Sequence, residues 1–379
     1  MRHYKRFLIL FPGIIFGLSF NATILNAEEV EVYKIGAILP LTGPGAVFGE
    51  EDKRGIILAV EDINSKGGIN GKKIEVIFED SKTDPKEAVT IFNKFLAFSI
   101  PPVILSELSS VGMALKPLIE ENKIVMFIIA AHPDLTKEGG YVFRMLPTAS
   151  NQTERLARLA SEELKLKNIA ILYINDDLGD ALRKSFINSF KNLKGRIRAV
   201  EAFDKEGVDF RPQITKIIAK KPQAIFVAGY GKALGIVIKQ IREMGYEGLL
   251  LGTPEIPFPE VLSIAGKAAE EAIIIDVLID ENNPKVKKFI EKFKRRFKKE
   301  PTLAAYLAYD MLQMVAVAIK KKGYTSEGIR EGLLSIRRFP GLTGRLDVLS
   351  NGDVNFRLGL KVIKGGKAVP LVDVKKRVR

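Results

Sequence analysis

Apolar positions along the chain follow two alternating periods, beginning at residue 32. Residues 32–39 are mostly apolar and are closed by Pro40, a pattern typical of a strand buried on both faces of a parallel sheet. Over about residues 48–65, apolar side chains recur at the i, i+3, i+4, i+7 spacing of an amphipathic helix. The chain therefore starts as a strand followed by a helix.

This alternation continues for most of the sequence. Further strands are predicted at 74–78, 103–105, 124–129, 169–174, 224–228, 249–251 and 273–278. Further helices are predicted from Asp84 onward and at about 109–121, 151–166, 178–193, 210–219, 232–244, 284–297, 303–321 and 326–334. Two consecutive βαβ series predict an α/β fold of two doubly wound, Rossmann-like lobes.

The end of the chain turns to β structure. Strands are predicted at 344–348 and 355–363, joined as a hairpin by Asn351-Gly352, a strong turn signal. Ligands of open α/β sheets bind beyond the carboxyl ends of the strands. If the sheets of the two lobes face each other, these strand ends surround a shared cleft. We expect the first, third and fourth strands each to lead into a helix start, where free backbone N–H groups attract anions.

The first residues are expected to direct export. Arg2, Lys5 and Arg6 precede an apolar run over 7–20 and a polar stretch ending at Ala27, the layout of a cleaved signal peptide over 1–27. An uncleaved anchor is the alternative. After Ala27 we expect no segment apolar enough to cross a membrane. Since the chain has 0 Cys, it cannot be a lipoprotein, and a periplasmic location is predicted.

Charge does not point to nucleic acid. The net charge is +14, but the 59 Lys and Arg residues are mixed with 45 acidic ones. The densest basic stretch, 285–299, carries Phe289, Phe293 and Phe297 every four residues. These phenylalanines form the apolar stripe of an amphipathic helix, and the Lys and Arg residues form its solvated face. No nucleic-acid partner is therefore expected.

Side chains suited to catalysis are scarce. His132 is the single histidine after the signal segment, and Cys is absent, so a catalytic triad or a zinc site has few candidates. The glycines of 43–49 depart from the dinucleotide fingerprint, because the third comes one residue late. We expect no cofactor, no metal and no enzyme activity.

Three positions after predicted strands carry side chains suited to a ligand. Ser109 and Ser110 follow the third strand, as helix caps or as hydroxyl donors into the cleft. Tyr230 follows a strand of the second series between two glycines. Glu255 follows the next strand, either as a partner for an ammonium group or as a solvated loop acid.

In order and spacing, short motifs over 32–360 resemble those of the leucine/isoleucine/valine-binding class of periplasmic proteins. The matching segments are Pro40-Leu-Thr-Gly-Pro44 with Gly49, and 58–64, 67–71, 79–81, 84–85, 88–89, 141–144, 177–179, 209–210, 242–245, 309–310 and 341–344. The resemblance implies a type I periplasmic binding fold with a three-strand hinge. Lobe one would hold 32–147 and 278–342, and lobe two 148–277 and 343–379.

The resemblance also implies a site. Ser109 or Ser110, with Ile129, Ala130 and Ala131, would bind a carboxylate, although Ala131 stands where many relatives have Thr. Tyr230 and Glu255 match the second-lobe residues, and Glu255 would bind an ammonium group. Phe48 would line the pocket, and Leu178 replaces a common aromatic side chain.

The function implied is capture of an amino acid, or a related small polar molecule, for an ABC importer. The lobes would close over the ligand, and the closed monomer would dock on an inner-membrane permease. One alternative is a ligand-sensing envelope protein of the same fold, with an amide or aromatic acid as ligand. An enzyme and a structural protein without ligand are further alternatives.

Overall fold

The structure, a computed structural model, describes residues 32–371. The predicted signal segment, 1–27, lies outside these residues, as do the last eight residues of predicted lobe two, 372–379.

The first sheet is parallel throughout. Its strands are β1 (Val32–Leu39), β2 (Lys73–Asp80), β3 (Val103–Glu107), β4 (Val125–Ile129) and β5 (Val142–Arg144), in the order β2-β1-β3-β4-β5. Three helices connect them: α1 (Ala46–Asn64), α2 (Pro85–Phe98) and α3 (Ser109–Asn122). The helix predicted from Asp84 onward is α2, and the Asp84 side chain caps it by accepting a bond from the Lys86 N–H at 2.8 Å.

The second sheet has a parallel centre and an antiparallel edge. The strands are β6 (Asn168–Ile174), β7 (Arg196–Phe203), β8 (Ala224–Ala228), β9 (Leu249–Gly252), β10 (Ile273–Val277), β13 (Leu358–Lys364) and β14 (Lys367–Pro370). Their order is β14-β13-β10-β9-β8-β6-β7. The helices are α4 (Ala149–Arg158), which continues as a π-helical turn over Leu159–Glu163, α5 (Asp177–Asn192), α6 (Arg211–Ile218), α7 (Gly231–Glu243) and α8 (Pro259–Ala265).

Three later helices return to the first sheet. They are α9 (Pro284–Phe297), α10 (Leu303–Lys322) and α11 (Ser326–Leu334); α10 packs on α1, and both α10 and α11 contact β4. We call the elements around the first sheet lobe one and those around the second sheet lobe two. The two doubly wound lobes predicted from the hydrophobic pattern are confirmed.

The chain passes between the sheets three times, through residues 145–148, 278–283 and 347–357. In lobe one, Gly49 at the start of α1 allows the helix to pack closely on the end of β1. A Cβ on Gly49 would lie 2.3 Å from the carbonyl oxygen of Pro40.

The predicted C-terminal hairpin is wrong. The short strand β12 (Gly344–Leu346) pairs with β11 (Phe339–Gly341), while β13 pairs with β10 and β14. Asn351-Gly352 does form a tight turn, but only the single bridge between Val348 and Val354 closes it. The backbone of β13 pairs instead with β10, which is distant in sequence.

One described helix, α10, is long and apolar enough to cross a membrane by length and composition. This differs from the expectation that no segment after Ala27 is apolar enough to cross a membrane. The helix is mostly buried inside the protein, where it packs between α1 and α11, so its apolarity is that of a core element.

Candidate functional site

The ends of strands from both lobes enclose two small cavities of about 30 Å³ each. Five residues line both: Phe48, Glu107, Ile129, Leu146 and Glu255. The remaining lining residues are Leu108, Ser109, Ala130, Ala131, Leu178, Pro254, Phe258, Leu303, Ala304 and Leu307. One water molecule occupies about 10–15 Å³ of such cavity volume, so each cavity has room for only two or three waters. The cleft is therefore nearly closed, and a larger ligand requires the lobes to separate.

Phe48 packs across the cleft. Its ring, on the first turn of α1, lies edge-on to Phe258 at 4.9 Å and to Tyr230 at 5.6 Å between ring centroids. All three side chains are buried. Edge-to-face aromatic pairs add about 0.5–1.5 kcal/mol beyond area burial, so these contacts favour the closed arrangement.

The backbone also makes a close approach between the lobes at Gly231. This glycine has φ +63°, and a Cβ on it would lie 2.7 Å from the carbonyl oxygen of Pro44 in lobe one. Glycine is the residue that meets both requirements at low cost. The glycine after Tyr230 therefore allows the two lobes to approach closely here.

The two candidate serines are placed differently. Ser109 is buried, lines one cavity, and its Oγ accepts a hydrogen bond from the His132 N–H at 3.3 Å. Ser110 is half-buried and is not among the residues that line the two cavities. The structure therefore brings Ser109 to the cavity.

Leu108, between Glu107 and Ser109, has φ +79° and ψ 136°. A non-glycine residue in this region is strained, and such strain persists where the surrounding structure over-determines it. This turn directs the side chains on either side of Leu108 toward the cleft.

Tyr230 lies beside the cavities rather than in their lining. Its Oη donates to Oδ2 of Asp176 at 2.8 Å, and Asp176 caps α5 by accepting from the Gly179 N–H. Burial raises the pKa of the Tyr230 phenol, so it stays a donor. Asp176 was not among the predicted site residues; an Asp just before a helix is the signal that could have identified it.

Glu255 is buried at the junction of both cavities. Its side chain is 8% exposed, and Oε2 has no hydrogen-bond partner among the described residues. Burial raises its pKa to about 7. A buried carboxyl without a cation is costly to ionise, so this group is poised to gain a positively charged partner.

A second acid, Glu107, lines both cavities and was missed by the sequence analysis. It ends β3, is 7% exposed, and its Oε2 has no partner among the described residues. Its carboxyl contacts that of Asp52, which is fully buried on α1, and burial raises the pKa of both groups. A charged residue just after the predicted strand 103–105 is the signal that could have identified it.

The loop after β4 differs from the prediction of a third helix start. After Ala131 the chain forms a single 3₁₀ turn, Pro133–Leu135, which His132 caps by accepting a bond from the Asp134 N–H at Nδ1, 3.3 Å away. A turn this short has no appreciable helix dipole. Burial lowers the pKa of His132, so its imidazole is neutral, which fits a polar loop residue.

Two larger grooves flank the start of α1 outside this inner space. One, of about 630 Å³, lies between α1, the start of α8 and residues 299–302; the other, of about 460 Å³, faces residues 205–208 and α7. Within residues 32–371, no group of three or more His, Asp or Glu side chains is arranged to hold a metal ion.

Comparisons with known proteins agree with this architecture. Residues 32–357 match the family model described as periplasmic binding protein. The leucine-, isoleucine-, valine-, threonine-, and alanine-binding protein of Pseudomonas aeruginosa is 26% identical over 327 residues, which cover 86% of this chain and 87% of that protein.

Two solved structures are similar over nearly the whole of their chains. The leucine-binding protein LivK of Thermotoga maritima superposes with a TM-score of 0.83 at 28% identity, covering 89% of this chain and 97% of that one. The branched-chain amino acid transporter substrate-binding protein LivJ of Streptococcus pneumoniae, in complex with isoleucine, has a TM-score of 0.82 at 27% identity, covering 89% and 98%.

The fold is the type I periplasmic binding fold, a class in which two lobes enclose a ligand cleft. This chain belongs to the periplasmic binding protein family, as its motifs indicated. It is a solute-binding protein of the kind that serves ABC transporters, and its relatives are binding proteins rather than enzymes.

Proposed function

We propose that this protein captures an amino acid, or a closely related small amino compound, in the interlobe cleft and delivers it to an ABC permease of the inner membrane. The observation that carries the proposal is Glu255, a buried carboxyl with a free oxygen facing the cavity between the lobes. An ammonium group is the ligand feature that compensates such a charge.

The side chains that would contact the ligand are those of Phe48, Ser109, Ile129, Ala130, Ala131 and Leu178. Tyr230 would support the wall of the site in lobe two. The burial of these side chains supports this. Ser110, half-buried and away from the cavity lining, would be the helix-start alternative to Ser109. The absence of a hydroxyl at Ala131 leaves the carboxylate end of an amino acid with one donor fewer than a Thr would supply.

The lobes would be 32–147 with 278–342, and 148–277 with 343–379. The three passages of the chain between the sheets support these limits. Closure would be a hinge motion about these passages, driven by ligand contacts that form only in the closed state. No chemical step is involved, and the protein would act as an exported periplasmic monomer after removal of 1–27.

A thermal-shift screen against amino acids and small amino compounds tests this function. Ligand binding raises the melting temperature, by an amount that grows with concentration over Kd. We expect a hit among these compounds, and its loss in Glu255→Ala. Glu260→Ala, an acid that lines the outer grooves instead, is the matched control and should keep the hit. A hit unchanged in Glu255→Ala would contradict the ammonium role.

A further inference from the structure

Glu107 reaches the ligand space from lobe one, while Glu255 reaches it from lobe two. Both side chains are buried, and each lines both cavities. None of the described residues that line these cavities is Lys, Arg or His. The two acids therefore share one small space in which the lining itself supplies no cation.

The contact between Glu107 and Asp52 keeps Glu107 protonated. Two carboxyls in contact hold a proton between them, because like charges at this distance do not both ionise. Burial raises the pKa of both groups, and the hydrogen bond between them raises the pKa of Glu107 further while it lowers that of Asp52. Glu107 is therefore the donor of this bond, and Asp52 is its acceptor.

This bond decides what Glu107 can offer a ligand. A protonated carboxyl has a single O–H, and its other oxygen has only lone pairs. Asp52 is fully buried on α1 and lines neither cavity, so the O–H of Glu107 is directed away from the ligand space. The Leu108 N–H does not occupy the other oxygen, because it donates to the Ile129 carbonyl at 3.2 Å. Glu107 thus presents a neutral acceptor, which carries no charge to repel a ligand carboxylate.

We propose, building on the proposed function, that the ammonium group of an α-amino acid is bound from both lobes, by ionised Glu255 and by the neutral carboxyl of Glu107 that Asp52 orients. An ammonium group has three N–H donors, so it can meet both acceptors at once. The bond to Glu107 holds the amino group on lobe one, and closure then brings Glu255 to it. Glu107 is thereby a second residue that selects for the amino group.

Two substitutions at Glu107 distinguish a neutral acceptor from a charge. Glu107→Gln keeps an oxygen acceptor for the ligand and an N–H donor for Asp52, so affinity should stay within about threefold. Glu107→Met removes both at similar volume and should weaken binding about tenfold or more, the loss expected for a hydrogen bond to a charged group. Calorimetric titration at neutral pH measures Kd for L-leucine, L-isoleucine, L-valine, L-threonine and L-alanine, and the tightest of the five is used.

The hydroxy acid of that amino acid, in which an O–H replaces the ammonium group, shows whether Glu107 acts on this group. Its Kd is measured by displacement of the amino acid. The preference for the amino acid over its hydroxy acid should fall about tenfold in Glu107→Met and stay unchanged in Glu107→Gln. A merely structural role would weaken both ligands equally and leave the preference as it was. Glu260→Met, in the outer grooves, is the matched control and should change neither value.

A second variant covers the case in which Glu107→Met does not fold because Asp52 stays buried without its donor. Asp52→Leu combined with Glu107→Met replaces both partners by apolar side chains, which a buried polar pair often tolerates, and should show the same loss of preference.

Equal losses in Glu107→Gln and Glu107→Met would show that Glu107 acts as a charge and would overturn the inference. A preference unchanged by the loss of Glu107, or no binding of any of the five amino acids, would overturn it as well. The proposed function has a separate outcome: it stands if the thermal-shift screen still finds an amino compound whose binding Glu255→Ala abolishes.

Discussion

Arg144 and Asp353 join two of the three passages between the lobes. The Nε of Arg144, at the end of β5, donates to Oδ1 of Asp353 at 2.8 Å, and their backbones are bridged. The same guanidinium donates to the carbonyls of His132 and Pro133 and to Thr136 Oγ1. Arg144 therefore ties the loop that carries Ala130 and Ala131 to the passage through residues 347–357.

We expect Asp353→Ala to destabilise the protein by about 3 kcal/mol. Arg144 is 1% exposed, and removing one partner of a buried pair leaves the other charge uncompensated. Urea unfolding measures the change. Glu154→Ala breaks an exposed pair with Arg158 and should cost less than about 1 kcal/mol. Equal effects of the two substitutions would refute the special role of Arg144.

Phe48→Ala is expected to favour the open arrangement. The substitution removes the aromatic contacts to Tyr230 and Phe258 that cross the cleft, while truncation of a buried Phe costs about 3–5 kcal/mol in total. Because the chain has 0 Cys, Cys introduced at exposed Lys86 and Lys220 can carry a dye pair. The distance between the dyes should increase in Phe48→Ala. Phe92→Ala, in the core of lobe one, should lower stability without that increase.

Tyr230→Phe should weaken ligand binding and lower stability, while the packing of the ring stays unchanged. The variant deletes only the Oη that donates to Asp176 at 2.8 Å. A hydrogen bond to a charged group contributes about 1.5–3 kcal/mol. Tyr246→Phe is the comparison, since its Oη donates to the neutral Pro222 carbonyl at 3.3 Å and should cost about 0.5–1.5 kcal/mol. Melting curves that rank the two variants in the opposite order would exclude the proposed anchoring of Tyr230.

Glu255 should make the ligand-free protein less stable as pH rises. Its folded pKa is raised from 4.5 to about 7, so its contribution is fully present below pH 4.5 and is lost as pH rises to about 7. At 1.36 kcal/mol per pKa unit, the loss over this shift is about 3.4 kcal/mol at most. The melting temperature of Glu255→Gln should fall less across this interval than that of the unsubstituted protein.

An ammonium ligand should show the reverse dependence, binding more tightly as pH rises toward 7, because it pairs with the ionised carboxylate. Exposed Glu121→Gln is the control and should follow the unsubstituted curve. A pH profile shared by Glu255→Gln and the unsubstituted protein would show that another acid, such as Asp276 or Asp176, dominates.

Helices with clear amphipathic stripes were predicted almost to the residue. The predicted bounds 284–297 and 326–334 are those of α9 and α11, and the Phe289 and Phe293 stripe is buried as expected. Such elements are specified by local spacing alone. Strand β7, an edge strand with alternating partly exposed residues, was missed, as were β5, β14 and α8, which are short.

The candidate site was predicted only where chain position implies chemistry. Ser109 and Glu255 lie two and three residues after β3 and β9, and parallel strands place such residues at the carboxyl edge of each sheet. Asp52 lies on α1 and Asp176 just before α5, both positions where an acid is ordinarily solvated. Their burial depends on which elements pack against them, which the local sequence does not express.

By itself, the sequence determined the two-lobed α/β fold, the family and the short set of polar residues beyond the strands, because hydrophobic period and turn chemistry are local properties. The tertiary structure alone decided that β13 joins β10, that Ser109 rather than Ser110 reaches the cavity, and that Glu107 meets Asp52 there. Those outcomes depend on contacts between residues far apart in the chain, and on the desolvation of charged groups that only packing produces.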